Sequence, residues 1–233
     1  MQTSRAVTYG AVALALALVF LLGGLALGRV TERADARRDA GVTTSPGPPP
    51  TGPDLTDDVV IIGDSITEQA EPLLLDQLQP ESVVRVRGRG GYRVDQMEPF
   101  AVEAAAAEPE QVIVNLGSND VLTSWPLDKS VEAYTRLLDY FDDARCIHLV
   151  TVNERFVSAS DSSMAFRALL LNAQIRALAS DAGARVIDWS SMVADYDAAG
   201  APYGPITSDS VHPTELGQRM LADAYDEALR TCL

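Results

Sequence analysis

The chain has two histidines, and one of them, His212, stands in a setting suited to chemistry. It lies in Asp209-Ser210-Val211-His212-Pro213-Thr214, three residues after an aspartate and just ahead of a helical pattern. An Asp at that spacing can curl back onto the imidazole, fix its tautomer and stabilise its charged form. A histidine base needs that support when it activates a hydroxyl. A hydroxyl is offered by Ser65 in Gly63-Asp64-Ser65, and an amide donor by Asn119 in Leu116-Gly117-Ser118-Asn119-Asp120. The run Arg87-Gly88-Arg89-Gly90-Gly91-Tyr92 can bare its backbone N–H groups, since glycine turns tightly without a side chain in the way. Nucleophile, base, orienting acid and donors for a developing negative charge are the parts of acyl transfer through serine.

Each part also has a plain structural reading. Ser65-x-x-Glu68 is the pattern of a capping box, in which the serine only satisfies free N–H groups of a helix. Asn119 can cap the segment that follows it, and the glycine run can be a simple turn. It is neither a P-loop nor a dinucleotide fingerprint. The second histidine, His148, falls inside a strand pattern and reads as structural.

The elements that must position these residues alternate regularly from Asp57 onward. Val59-Val60-Ile61-Ile62 is a continuous β-branched run, as in a strand buried on both faces of a parallel sheet. Further strands are predicted over Ser82–Val86, Gln111–Leu116, Cys146–Val152 and Ala184–Asp188. Helices are predicted over Glu68–Leu78, Val94–Ala107, Val131–Phe141, Met164–Ala182 and Thr214–Leu229, with a loop over Trp189–Thr207. Five strands separated by helices imply a parallel sheet covered on both faces by right-handed crossovers. Reactive groups then belong at the carboxyl ends of the strands, and Ser65, the glycine run and Asn119 all fall there.

Charge divides the chain. Residues 1–51 carry five Arg and three acidic side chains, whereas residues 52–233 carry 13 basic and 30 acidic ones, a net −17. An acidic body repels phosphate backbones, which argues against nucleic acid as a partner. The span Ala6–Gly28 holds 23 residues without a charge. As a helix it reaches about 34 Å, enough for a hydrocarbon core of about 30 Å. Residues 1–28 are therefore expected to be a membrane anchor, with a cleaved signal sequence as the nearest rival. A Pro-rich linker is expected over 29–56 and the folded domain over 57–233. The four arginines after the span would keep that domain in the cytoplasm by the positive-inside rule. Long acidic domains translocate regardless, and the stalk-like linker favours the outside.

The two cysteines bear on this. Cys146 opens the fourth strand, at the amino-terminal edge of the sheet. The helix from Thr214 runs back across the sheet for about 23 Å and carries Cys232 toward the same edge. A disulfide is expected there, against the alternative of two unrelated thiols, and it would persist only outside the cytoplasm.

Four blocks in this order, around Ser65, Gly91, Asn119 and Asp209–His212, resemble the SGNH (GDSL-type) hydrolase family, and the resemblance runs from Asp57 to the C-terminus. It implies a three-layer α/β/α, flavodoxin-like fold with a five-stranded parallel sheet, preceded here by the N-terminal transmembrane helix. It also implies ester hydrolysis by a Ser65–His212–Asp209 triad through an acyl-enzyme, without metal or other cofactor. The oxyanion donors would be the N–H groups of Ser65 and Gly91, with Gly90 as the alternative glycine, and the Asn119 amide. Thr151-Val152-Asn153-Glu154-Arg155, Asn172 and Val186-Ile187-Asp188-Trp189 further resemble members acting on acetyl groups of cell-surface polysaccharide. The expected partner is a small-molecule, lipid or glycan ester. An O-acyltransferase differs only in the final acceptor. A silent binding module or a nucleotide-binding flavodoxin fits less well: the set is intact, and Asp64 is the wrong charge for a phosphate loop.

Overall fold

The computed structural model describes residues 57–232. The expected anchor at 1–28 and linker at 29–56 lie outside the described residues. Among the described residues no helix is long and apolar enough to cross a membrane.

Five parallel strands form one sheet in the order β2-β1-β3-β4-β5: β1 (Asp57–Gly63), β2 (Ser82–Gly88), β3 (Gln111–Asn115), β4 (Cys146–Val150) and β5 (Arg185–Ile187). This is the flavodoxin-like order, in which the chain reverses direction across the sheet between β1 and β3. The register places Gly63 level with both Gly88 and Asn115, so the first three strands end together, next to that reversal.

The buried β-branched run of β1 divides between two cores. Val59 and Ile61 pack with Ile66, Ala70 and Leu74 of α1 (Ser65–Leu78) and Leu221 and Tyr225 of α7 (Glu215–Arg230). Val60 and Ile62 pack on the other face, with Ala101 of α2 (Glu98–Ala105), Tyr134 and Leu137 of α4 (Leu127–Asp139), and Leu171 and Ile175 of α5 (Met164–Ala182). All four strand residues are fully buried, each worth about 1.5–3 kcal/mol in apolar surface withdrawn from water. A charge at Ile61 or Ile62 would break one layer from the sheet.

Two local expectations are corrected, and one helix appears that was not predicted. The segment Val94–Ala107 breaks into a 3-10 turn, Asp95–Met97, followed by α2, because Pro99 has no N–H to donate and is accommodated only in a helix's first turn. The loop after β5 begins with a helix, α6 (Trp189–Ala198), whose start is capped by Asp188 accepting from Ser191 N–H and whose Trp189 and Val193 are buried. A short helix, α3 (Ser118–Leu122), directly follows β3.

Cys146 and Cys232 are joined by a disulfide with a Cα–Cα distance of 6.2 Å, within the usual range for such bridges. Gln111 Nε2 donates to Leu229 O nearby, so the end of α7 is tied to the amino-terminal edge of the sheet. His148 is fully buried in β4 beside this bridge.

Candidate active site

The turn out of β1 sets the first group. Asp64 is the N-cap of α1: its Oδ1 accepts the Ile66 N–H at 3.0 Å. The capping-box reading of Ser65 and Glu68 is therefore overturned. Ser65 is the first residue of the helix, and its hydroxyl meets His212 Nε2 at 2.9 Å. Its backbone N–H is one of the free donors every helix N-terminus leaves, and among the described residues it has no acceptor.

The partner imidazole is delivered by the loop between α6 and α7. Thr207 and Pro213 form an antiparallel bridge, Ser208 N–H donates to His212 O at 2.9 Å, and Thr214 N–H donates to Ile206 O at 2.9 Å. Inside this clasp Asp209 Oδ1 accepts from the N–H groups of Val211 and His212, at 3.0 and 2.7 Å. Its Oδ2 stands 2.8 Å from His212 Nδ1. Partial burial works to raise the Asp209 carboxyl, but the bonds from the His212 ring and backbone and from Val211 outweigh it and hold the group at about 2. An ionised carboxylate can only accept, so the ring proton sits on Nδ1. Nε2 is then the acceptor and the Ser65 hydroxyl donates to it.

The glycine run forms a β-turn over Arg89–Tyr92, closed by Tyr92 N–H to Arg89 O at 3.3 Å. Gly91 carries φ 77° at the third position, the signature of a type II turn and a conformation other residues rarely adopt. Gly90 N–H donates to Glu68 Oε2 at 2.9 Å, whereas Gly91 N–H has no acceptor among the described residues. Asn119 does not cap: Gly117 occupies the N-cap of α3 and Asn119 lies inside the helix. The Asn119 Nδ2 donates to Tyr92 O at 3.0 Å, which joins α3 to the turn and leaves the second amide hydrogen over.

Buried carboxyls lie beneath. Asp64 is fully buried, and among the described residues its Oδ2 has no hydrogen-bond partner. Burial drives this group up to about 7, against the pull of the Ile66 N–H and the attraction of His212. Asp120, also raised by burial, accepts from Ser130 Oγ at 2.7 Å and from Val94 N–H at 3.1 Å. It therefore braces the chain that leaves the glycine turn.

Ser65, Asp209 and His212 are thus brought into one hydrogen-bonded chain, with Gly91 and Asn119 tied to the neighbouring turn. Sequence reasoning missed three supports. Glu68 reaches the turn rather than its own helix. Asn153 Nδ2 holds the Ser210 carbonyl at 2.8 Å, and Asn172 grips Val152 through both N–H and C=O at 2.7 Å each. The Thr151–Arg155 segment was a visible signal for the last two, but its link to the His212 loop is a tertiary contact. Among the described residues one metal-ligand group gathers, Cys146, His148 and Cys232, at the opposite edge of the sheet, and both of its sulfurs are taken by the disulfide.

Known proteins share this fold and part of the sequence pattern. The sequence profile of the GDSL-like lipase/acylhydrolase family matches residues 61–220. No curated protein sequence matches the chain. Among solved structures, a GDSL-like lipase from Bacteroides thetaiotaomicron has a TM-score of 0.64 at 18% identity, covering 87% of this chain and 98% of its own. The acetyl xylan esterase AlAXEase gives 0.61 at 22% identity, covering 73% and 98%. Axe2, an acetylxylan esterase from Geobacillus stearothermophilus, gives 0.59 at 20% identity, covering 73% and 93%.

Proposed function

Since the chain belongs to the GDSL-like lipase/acylhydrolase family and is an ester hydrolase on that ground, we propose that it works through an acyl-enzyme on Ser65 and removes acetyl groups from a glycan. The observation that carries the first half is the unbroken chain from Ser65 Oγ to His212 Nε2, 2.9 Å, and from His212 Nδ1 to Asp209, 2.8 Å. In this reading His212 takes the hydroxyl proton as Ser65 Oγ attacks the ester carbonyl carbon. Asp209 stabilises the imidazolium that results. The carbonyl oxygen, now negative, is met by the Ser65 and Gly91 N–H groups and the remaining Asn119 amide hydrogen. His212 passes its proton to the departing alcohol as the carbon–oxygen bond breaks. Water, activated by the same imidazole, then attacks the acyl-serine and frees the acid.

The glycan half is supported by the two acetyl xylan esterases among the similar structures. The test is acetate release from acetylated xylo-oligosaccharides set against short- and long-chain aryl esters, with fluorophosphonate labelling mapped by mass spectrometry. Labelling at Ser65 and a preference for acetyl are expected. Labelling elsewhere would remove the mechanism, and a preference for long chains would remove the substrate.

We further propose that residues 6–28 tether this domain outside the cytoplasm. The uncharged 23-residue run supports this, and so does a disulfide of a kind that persists in oxidising compartments. Protease added to intact cells should digest the domain; full protection would place it inside.

A further inference from the structure

Glu68 lies one helical turn beyond Ser65 on α1, on the rim of the site, and its sequence spacing suggests a capping partner. A capping glutamate bonds the N–H of the N-cap residue. Here that residue is Asp64, and its N–H is already taken by Asn115 O at 3.3 Å, across the end of β3. Glu68 instead reaches sideways, and its Oε2 accepts the Gly90 N–H at 2.9 Å.

The glycine turn presses on the same helical turn. A Cβ at Gly88 would stand 2.5 Å from Glu68 N and 2.6 Å from Glu68 Cα. One at Gly90 would stand 2.7 Å from Glu68 Oε2 and 3.8 Å from Ser65 Cβ. The turn therefore lies directly on the start of the helix that carries the serine. Behind it, Arg89 N–H donates to Gly63 O at 3.0 Å.

Adjacent N–H groups in this turn have different fates. That of Gly90 is bound to Glu68, and that of Gly91 has no acceptor among the described residues. The Gly91 N–H belongs to the central peptide of the turn, the unit that rotates by about 180° when a type II turn becomes type I. With glycine at both central positions, nothing in the side chains opposes that rotation. What does oppose it is anchorage on either side: Glu68 fixes the peptide before the central one, and Asn119 Nδ2 fixes the Tyr92 carbonyl after it, at 3.0 Å.

We infer that Glu68 is a positioning residue for ester hydrolysis. By holding the Gly90 N–H it keeps the Gly91 N–H turned toward the carbonyl oxygen of a substrate at Ser65. The inference rests on the serine mechanism proposed above. It assigns Glu68 no proton transfer and no contact with substrate.

The test uses the full-length protein and the variants Glu68→Ala, Glu68→Gln and Ser65→Ala. Glu68→Ala should lower kcat about ten- to a hundredfold, the scale of a misplaced group near the reacting atoms, with KM unchanged. Glu68→Gln should restore most of the rate, because its amide oxygen can accept the same N–H. A boronic acid, which forms a tetrahedral adduct on serine, should lose affinity for Glu68→Ala in step with kcat/KM, while inhibition by acetate stays as in the parent. Glu68→Gln should melt with the parent, and Glu68→Ala, which loses its bond to Gly90, only a few degrees below it and fully folded at the assay temperature. Wild-type kcat and boronate affinity in Glu68→Ala would overturn the inference, as would a Gln variant as slow as the Ala variant, or a rate loss accounted for by unfolded protein at the assay temperature. Hydrolysis surviving in Ser65→Ala would instead defeat the serine mechanism itself.

Discussion

The carboxylate of Asp64 accepts the backbone N–H of Ile66 at 3.0 Å, and that bond releases the neighbouring serine from capping α1. Among the described residues the hydroxyl of Ser65 is left with one partner, His212 Nε2. Ser65→Ala should therefore abolish ester hydrolysis, by at least about a thousandfold, and shift stability by no more than about 0.5 kcal/mol. Asp64→Ala, which removes the cap, should cost about 0.5–2 kcal/mol. Paired ester assays and urea unfolding decide the matter. A Ser65→Ala protein that kept near-normal turnover would sink the nucleophile assignment.

In the proposed mechanism Asn119 has two tasks: one amide hydrogen is on Tyr92 O and the other would meet the substrate oxygen. Asn119→Ala should reduce kcat about a hundredfold or more. It should also lower stability by about 1 kcal/mol through the lost bond to Tyr92. A variant that lost stability and kept its turnover would show that the residue only braces the turn.

Much of this site was legible because its parts sit where strands end. The buried run Val59–Ile62, the break at Gly63 and the hydroxyl just after it could be read as strand, turn and reactive group. The Asp209–His212 spacing disclosed a local contact, since residues three apart in a tight loop can meet without help from the rest of the fold. The supports were not legible for the opposite reason. The bonds from Glu68 to Gly90, across 22 positions, and from Asn153 to Ser210, across 57, exist only after the strand ends converge. Helix α6 was hidden because its one clear start signal, Asp188, also looked like the close of a strand, and its buried side includes a serine.

Stability should respond to pH through two buried groups of opposite sense. The unfolded chain releases the Asp64 proton near 3.8, the folded protein only at about 7. Between those values the folded state holds one more proton, so this group makes stability fall as pH rises, by on the order of 4 kcal/mol across the window. His148 is lowered by burial and by Arg185 from 6.5 to about 4. Over that range the unfolded state holds the extra proton, so stability falls as pH drops. The two slopes oppose each other in the parent. Asp64→Asn, which removes the first, should show stability climbing from pH 4 to 6.5 and level above it. Urea midpoints for both proteins across pH 4–8 test this, and identical curves would refute the assignment to Asp64.

The bridge between Cys146 and Cys232 closes a loop with a sequence separation of 86, worth about 4–5 kcal/mol in the chain-entropy model. Reduction, or Cys232→Ser, should lower stability by that order. Ester hydrolysis at 25 °C should be unchanged, because the bond lies at the edge of the sheet away from Ser65. Calorimetry with and without a dithiol reductant, alongside the ester assay, provides the check. Equal stability in both states would mean the bridge adds no constraint.

The clasp between Thr207 and Pro213 encloses both Asp209 and His212. Any swing of that loop stretches the gap to Ser65 while the imidazole keeps its own carboxylate. Under the proposed mechanism such a swing would interrupt the hand-off between serine and base without scrambling which ring nitrogen bears the hydrogen. In the proposed mechanism the imidazole would return from such an excursion already in the form that can accept, with no search through tautomers before the next encounter with an ester.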